Sequence, residues 1–249
     1  SSDLSDSWKL FANANTSFGS MQYFQLTKGG NGNQPAPGLT AEKAHTYEFG
    51  TRYDDTVVKA EATLFYIDFD NQLQYISNDV GWTNMGATKH KGIELALSYD
   101  LSELNRALDG ASVYTSYTYT KASTDKGDFA GKDLPFYSRQ VYTVGTRYAT
   151  GSWVWNLDGY AQSKQHSPGT GPEYITQESA DGQFGDIAGY MVWNMRGEYN
   201  FGPQLSNLTL GAGVKNLFDQ RYFTRSNDNN FGKYVGEPRT FFVQGSIAF

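Results

Sequence analysis

A handful of polar residues, gathered in three separate stretches, carry the side chains best suited to gripping an oxygen-rich anion. They are Gln22, then Gln74 and Asn78, then Arg225, Asn227, Asn229 and Asn230. Amide N–H groups and a guanidinium fork donate hydrogen bonds in several directions at once, which suits a polyanionic or oxygen-rich small ligand. Tyr23, Gln25, Arg221 and Lys233 lie in the same stretches. The competing reading is that these are loops facing water, polar for solvation alone.

Bond-making chemistry is harder to find. His45, His90 and His166 lie far apart, and none has a zinc-ligand spacing such as HExxH. Asp54 and Asp55 form a carboxylate pair that a hairpin turn explains better. Asp228 sits among asparagines without the spacing of an EF-hand calcium loop. GTGPE at 169–173 and TKGG at 27–30 are too short for phosphate loops and lack the strand-to-helix setting such loops need. No catalytic residue, metal ligand or cofactor is expected, and the chain reads as a non-enzyme.

The elements that must position the polar stretches are strands. Aromatics make up 16% of the 249 residues, with 18 tyrosines, yet the mean hydropathy is −0.57. No apolar run approaches the roughly 20 residues of a spanning helix. A transmembrane β-barrel fits, because only alternate residues of each strand face lipid. A soluble β-sandwich or jelly roll alternates as well. A net charge of −6 argues against nucleic acid as a partner, and the absence of cysteine excludes disulfides and thiolate metal sites. The chain begins at Ser1 without Met, as a processed chain or a piece of a longer one does.

Ten strands are predicted from period-two alternation. They cover 8–18, 44–53, 57 to roughly 76, a fourth ending at Tyr99, 112–121, 139–148, a seventh opening at Trp153, one through Met191 to Tyr199, 208–214, and the C-terminal run to Phe249. The segment 101–110 has room for one helical turn. Two regularities separate barrel from sandwich. The links at Asp54, Leu101, Thr150 and Asn200 are short, whereas those starting near Gly19, Ala122, Ser163 and Asp219 are long. Outer-membrane barrels alternate in this way, with short periplasmic turns and long outer loops. Trp8, Tyr53, Tyr99, Tyr148, Trp153, Tyr199 and Phe249 all fall on the apolar parity near the short links, as an interfacial girdle requires. The opposite parity carries Lys59, Glu61, Glu94, Ser98, Arg147, Asn156, Asp158, Gln162, Arg196, Glu198, Lys215 and Gln244. The lysines and arginines among them would cost about 2–4 kcal/mol each against lipid at the midplane, so this face is expected to line a wet or protein-filled lumen.

The closing segment Lys215-Asn216-Leu217-Phe218-Asp219, with Tyr222, Gly236-Glu237-Pro238-Arg239-Thr240-Phe241 and terminal Phe249, resembles the last strands of TonB-dependent outer-membrane receptors. Glu42 with TYEFGTRYDD, and NMGATKHKGIELALSYDL, agree. SFGSMQYFQ, the stretch from QESADGQFGD to LGAGVKN, and FTRSNDNN with GKYVGEPRT are most similar to ferric citrate receptors. The resemblance implies an all-β, antiparallel up-and-down transmembrane β-barrel, of which residues 1–249 would be the C-terminal portion of about 22 strands. It implies residence in the bacterial outer membrane among lipid and lipopolysaccharide, ferric citrate or a related ferric chelate as ligand, and coupling to TonB through an N-terminal plug not contained in this stretch. An Asn of the final outer loop contacts ligand in such receptors, and Asn229 is the matching position. With these strands alone, an open sheet is expected. Another ferric siderophore, or a non-transporting barrel such as an adhesin or outer-membrane enzyme, is the alternative.

Overall fold

The computed structural model describes residues 2–3, 5–22, 38–77, 81–84, 86–126, 130–167, 185–226 and 233–247. The strands in chain order are β1 (Ser2–Asp3), β2 (Trp8–Gly19), β3 (Glu42–Asp54), β4 (Val58–Asp70), β5 (Leu73–Ser77), β6 (Gly81–Asn84), β7 (Thr88–Asp100), β8 (Ala111–Thr124), β9 (Gln140–Thr150), β10 (Trp153–Gln162), β11 (Gln165–Ser167), β12 (Gly185–Ile187), β13 (Tyr190–Asn200), β14 (Thr209–Lys215), β15 (Phe223–Ser226), β16 (Lys233–Val235) and β17 (Thr240–Ser246). One antiparallel sheet of 11 strands runs β1-β2-β3-β4-β7-β8-β9-β10-β13-β14-β17. Since β1 has two residues, the long strands are those predicted from the alternation. Every sequential pair in the sheet is an up-and-down neighbour. Among the described residues β17 does not pair back to β1 or β2, so the sheet is open.

Two expectations need correction. The predicted third strand stops early: β4 ends at Asp70, and Asn71 takes a left-handed φ of 58°, a conformation asparagine tolerates. Beyond Asn71 the chain forms a separate hairpin, β5–β6. The segment 101–110 holds two 3₁₀ turns rather than one helical turn, Leu101–Glu103 and Arg106–Leu108. Asp100 and Asn105 cap them, each accepting a backbone N–H at 2.9 Å, from Ser102 and Ala107. The other hairpins, β11–β12 and β15–β16, also leave the sheet from its long-link end. No helix is long and apolar enough to cross a membrane among the described residues.

Register assigns each side chain to a face. Trp8 lies opposite Tyr53, Tyr53 opposite Ala60, Leu97 opposite Thr115, Tyr148 opposite Trp155, Trp153 opposite Tyr199 and Tyr199 opposite Leu210. These residues share one face because strand side chains alternate. Every large apolar side chain that is exposed on the long strands belongs to this face, among them Phe49 and Leu64 at 56% and Val243 at 83%. A soluble monomer rarely leaves so much contiguous apolar surface in water. The rings form a belt at the short-link end: Trp8 and Tyr53 lie 5.1 Å apart, Trp153 and Tyr199 4.8 Å, and Trp153 and Trp155 5.5 Å. Phe249 lies outside the described residues.

The other face is polar and cross-linked. Arg52 meets Glu61 at 2.7 Å, Asn194 donates to Asp158 at 2.8 Å, and Asn13 donates to Glu48 at 3.2 Å. Each of these pairs is directly opposite in register. With half-exposed partners such pairs contribute about 0–1 kcal/mol each, so they define the face more than they stabilise it.

Tighter packing comes from rings laid over glycines. Phe11 faces Gly50, Phe65 faces Gly92, Tyr114 faces Gly145, Trp155 faces Gly197, Trp193 faces Gly159 and Phe242 faces Gly213. In each pair the ring occupies the space a β-carbon on the glycine would need. An aromatic rescues the packing that a bare glycine forfeits.

A β-carbon on Gly145 would sit 2.2 Å from Tyr114 Cζ. Gly145→Ala is therefore expected to destabilise the sheet by about 1–3 kcal/mol, and the loss should largely vanish in a Tyr114→Ala background. A double-mutant cycle of denaturant midpoints measures that coupling. The Asp54-Asp55 turn has an outcome that depends on pH. Asp55 Oδ2 accepts from the Tyr53 hydroxyl at 2.5 Å, and Oδ1 accepts from the Val57 and Val58 amides at 2.7 and 2.6 Å. The Tyr53 hydroxyl first, then the Val58 and Val57 amides, hold the carboxyl below its ordinary value of 3.8. A depressed carboxylate stabilises the fold above its unfolded pKa and ceases to do so as pH falls through its folded pKa. The gap in thermal midpoint between the wild type and Asp55→Asn should thus be present at pH 7 and close below about pH 4.

Candidate ligand-facing loops

The long links all emerge from one end of the sheet, and polar side chains tie them to it. Glu42, at the start of β3, accepts from the Leu73 amide at 2.6 Å and so holds β5. Asn84, at the end of β6, accepts from the Thr40 amide at 2.9 Å and donates to the carbonyls of Thr40 and Asn71 at 3.0 and 2.6 Å. Gln72 accepts from Thr88 at 2.5 Å. On the far side, the Gln165 amide donates to the Thr224 carbonyl at 2.6 Å, joining β11 to the β15–β16 hairpin. The Phe136 amide donates to the His166 carbonyl at 2.9 Å.

The closing motif forms the densest of these ties. Asn216 is 3% exposed and adopts a φ of 49°. Its side-chain N–H groups reach the carbonyls of Gln220 and Glu237 at 2.8 and 2.9 Å, its oxygen accepts from the Gln220 amide at 2.8 Å, and its own amide donates to Asn194 at 3.0 Å. Beside it Lys215 meets Glu237 at 3.2 Å, and Asp219 accepts from the Arg239 amide at 3.1 Å. Tyr222 lies over Gly236, whose amide donates to the Tyr222 carbonyl at 2.8 Å. The last outer link thus leaves and re-enters the sheet through one hydrogen-bonded knot.

Of the residues expected to face ligand, Gln22 lies exposed just past β2. Gln74 sits in β5 opposite Thr83, and Arg225 in β15 opposite Tyr234. The topology brings these three to the same end of the sheet. Asn78, Asn227, Asn229 and Asn230 lie outside the described residues. The histidines are separated: His45 contacts Thr16 at 2.9 Å, His90 is buried between the rings of Phe69 and Tyr137, and His166 meets Asp186 at 3.3 Å in the β11–β12 hairpin. Lys164 first, then His166, holds the Asp186 carboxyl below its ordinary range. No group of three or more potential ligands for a metal ion occurs among the described residues. The positioning roles of Asn84, Gln72 and Gln165 had no signal in the sequence. Those of Glu42 and Asn216 were marked only by the motifs that contain them.

Replacing Asn216 by alanine strands buried amides and carbonyls, at a cost of about 1–3 kcal/mol. Hydrogen exchange at the Gln220 amide should accelerate by roughly 5- to 150-fold, while amides in the middle of β8 keep their protection.

Among solved structures, the ferric citrate transporter FecA in its unliganded form superimposes with a TM-score of 0.79 and 43% identity, covering 98% of this chain and 36% of that one. The metal-pseudopaline receptor CntO of Pseudomonas aeruginosa is 28% identical over 92% of this chain and 30% of its own length. The probable TonB-dependent siderophore receptor PiuA of Acinetobacter baumannii is 24% identical over 76% of this chain and 24% of its own. The chain therefore spans about a third or less of the curated relatives it matches. The family model described as TonB dependent receptor-like, beta-barrel, matches residues 2–217, most of the chain, and the chain belongs to that family.

Proposed function

We propose that these residues are the C-terminal barrel segment of a bacterial outer-membrane receptor that captures a ferric chelate, with ferric citrate as the ligand. The observation that carries this reading is the 43% identity to a ferric citrate transporter sustained over 98% of the chain. The architecture supports it. The apolar face with its ring belt suits lipid, the polar face suits a lumen, and the loops that would meet ligand are gathered at one end. Those loops supply amide and guanidinium donors from Gln22, Gln74, Asn78, Arg225, Asn227, Asn229 and Asn230. Capture is binding rather than bond-making. Passage inward would be energised by TonB acting on a plug domain that precedes this segment.

A second reading keeps the receptor and changes the chelate. Relatives at 28% and 24% identity are a receptor for metal-pseudopaline and a probable siderophore receptor, and the same donors would serve other oxygen-rich chelates.

Binding to the full-length receptor separates the two. Ferric citrate should bind in preference to free citrate and to other ferric chelates, and an absence of preference overturns the citrate assignment. Asn229→Ala and Arg225→Ala, each removing a donor to an anion, should weaken ferric citrate binding by roughly 10- to 150-fold without changing expression in the outer membrane.

A further inference from the structure

Most side chains of the open sheet are at least half exposed, but one small core is closed. It lies on the polar face at the long-link end. Four of the five buried apolar side chains among the described residues belong to it, Ala44, Ala87, Ala122 and Leu134, with Thr88 and Thr124 beside them. Register sets Ala44, Phe69, Thr88 and Thr124 in one row and Thr46, Ile67, His90 and Ala122 in the next. His90 fills the middle at 5% exposure, edge-on to Phe69 at 5.2 Å and to Tyr137 at 5.3 Å. Its Nε2 lies 3.4 Å from the Thr88 hydroxyl, which donates to Gln72 at 2.5 Å. The Thr88 oxygen is left to accept from Nε2. Gln72 in turn meets the Tyr137 hydroxyl.

Two outer links converge on this ring. Gln72 stands between β4 and β5, with its amide on the Gly86 carbonyl at 3.2 Å, and so fixes the hairpin that carries Gln74. Leu134 and Tyr137 belong to the link between β8 and β9, where the Leu134 amide donates to the Ala122 carbonyl at 2.9 Å. The imidazole therefore packs where both links close on the sheet.

The pocket suits a neutral ring. Facing it are Phe69 and Ile67 from β4, Ala122 and Thr124 from β8, and Leu134 and Tyr137 from the β8–β9 link. Of these only Tyr137 titrates, and burial pushes its phenol up. Glu42 acts on Tyr137 and is engaged by the Leu73 amide at 2.6 Å. Lys89 and Asp68 alternate to the opposite face, Lys89 pairs with Asp125 at 2.7 Å, and Asp133 pairs with Arg139. Among the described residues no carboxylate makes an ion pair with His90. His90 lies further out than the row in which Lys91 and Lys121 end the apolar face, beyond the lipid-spanning part of the strand. Burial pushes its imidazole below the ordinary value of 6.5. A proton taken up here charges a buried ring that has no counter-ion. The closed pocket is thus stabilised above the ordinary histidine pKa, and that contribution is lost as pH falls through the lowered one.

We propose that His90 is a positioning residue and an acid-sensitive clamp. Neutral, it holds the β5–β6 hairpin and the β8–β9 link in the arrangement that presents Gln74 to ligand. Protonated, it lets both links loosen. This rests on the long links being the ligand-facing ones and is independent of which chelate they take.

The test follows hydrogen exchange in the full-length receptor at the Gln72 and Leu134 amides, each expressed as protection relative to the intrinsic rate at the same pH. Between about pH 7.5 and about pH 5, either side of the ordinary histidine range, protection at both should fall by roughly 5- to 30-fold. Amides in the middle of β10 should keep theirs. His90→Phe, similar in shape and unable to take a proton, should hold its protection at both pH values. His90→Gln, which retains a donor toward Thr88, serves if phenylalanine overfills the pocket. The ratio of wild-type to variant affinity for ferric citrate, in which changes of the chelate itself with pH cancel, should be near one at the higher pH and fall by roughly 5- to 30-fold at the lower. An equal fall of protection in wild type and both variants would place the effect of acid elsewhere. No fall in the wild type would leave the ring inert, and loss of protection in both variants already at the higher pH would make His90 structural only. Each of these overturns the proposal. The expected exchange pattern together with no ferric citrate binding at either pH would sustain the clamp and count against the chelate assignment alone.

Discussion

A strand that lies against lipid has no water to satisfy its amides, so each N–H and C=O must be met by a neighbouring strand. The rest of the molecule depends on that requirement. Adjacent long strands of the main sheet pair continuously without a register shift, whereas shifts occur in the β5–β6 and β15–β16 hairpins outside it. Continuity is also what keeps the faces pure. A slip of one residue in β4 would carry Leu64 and Ala62 to the polar side and Glu61 and Lys59 to the apolar side. The unbroken ladder and the two-faced sheet are one constraint seen along two directions.

Specificity of strand pairing comes from shape more than charge. The cross-strand ion pairs of the polar face are half-exposed and contribute little each. The ring-over-glycine pairs are different, because only one register lets Phe65 cover Gly92 or Tyr114 cover Gly145. They occur on both faces, with Trp155 and Trp193 on the apolar one and Phe11, Phe65, Tyr114 and Phe242 on the polar one. Each pair acts as a steric key for its two strands.

The long strands were legible in the sequence because alternation is a local signal repeated many times, and one face of aromatic and aliphatic residues from Trp8 to Val243 cannot be hidden. The unequal link lengths were legible for the same reason. The break at Asn71 was not, since QLQYIS loses the apolar face with no Gly or Pro to mark a turn, and the strand ends at a left-handed asparagine. Nor were Asn84, Gln72 and Gln165, whose work is done by single hydrogen bonds to distant groups with no period to detect. Of the candidate ligand contacts, Gln22, Gln74 and Arg225 stand out in the sequence by donor chemistry and by lying away from the short links, and the topology gathers all three at the long-link end.

The Asn216 side chain binds only backbone: the carbonyls of Gln220 and Glu237 and the amide of Gln220. The anchor of the last link is therefore blind to the side chains it holds together. A loop tied in this way can exchange its tip residues during evolution without renegotiating its attachment to the sheet. In this chain the attachment reads backbone geometry and not the sequence of the loop.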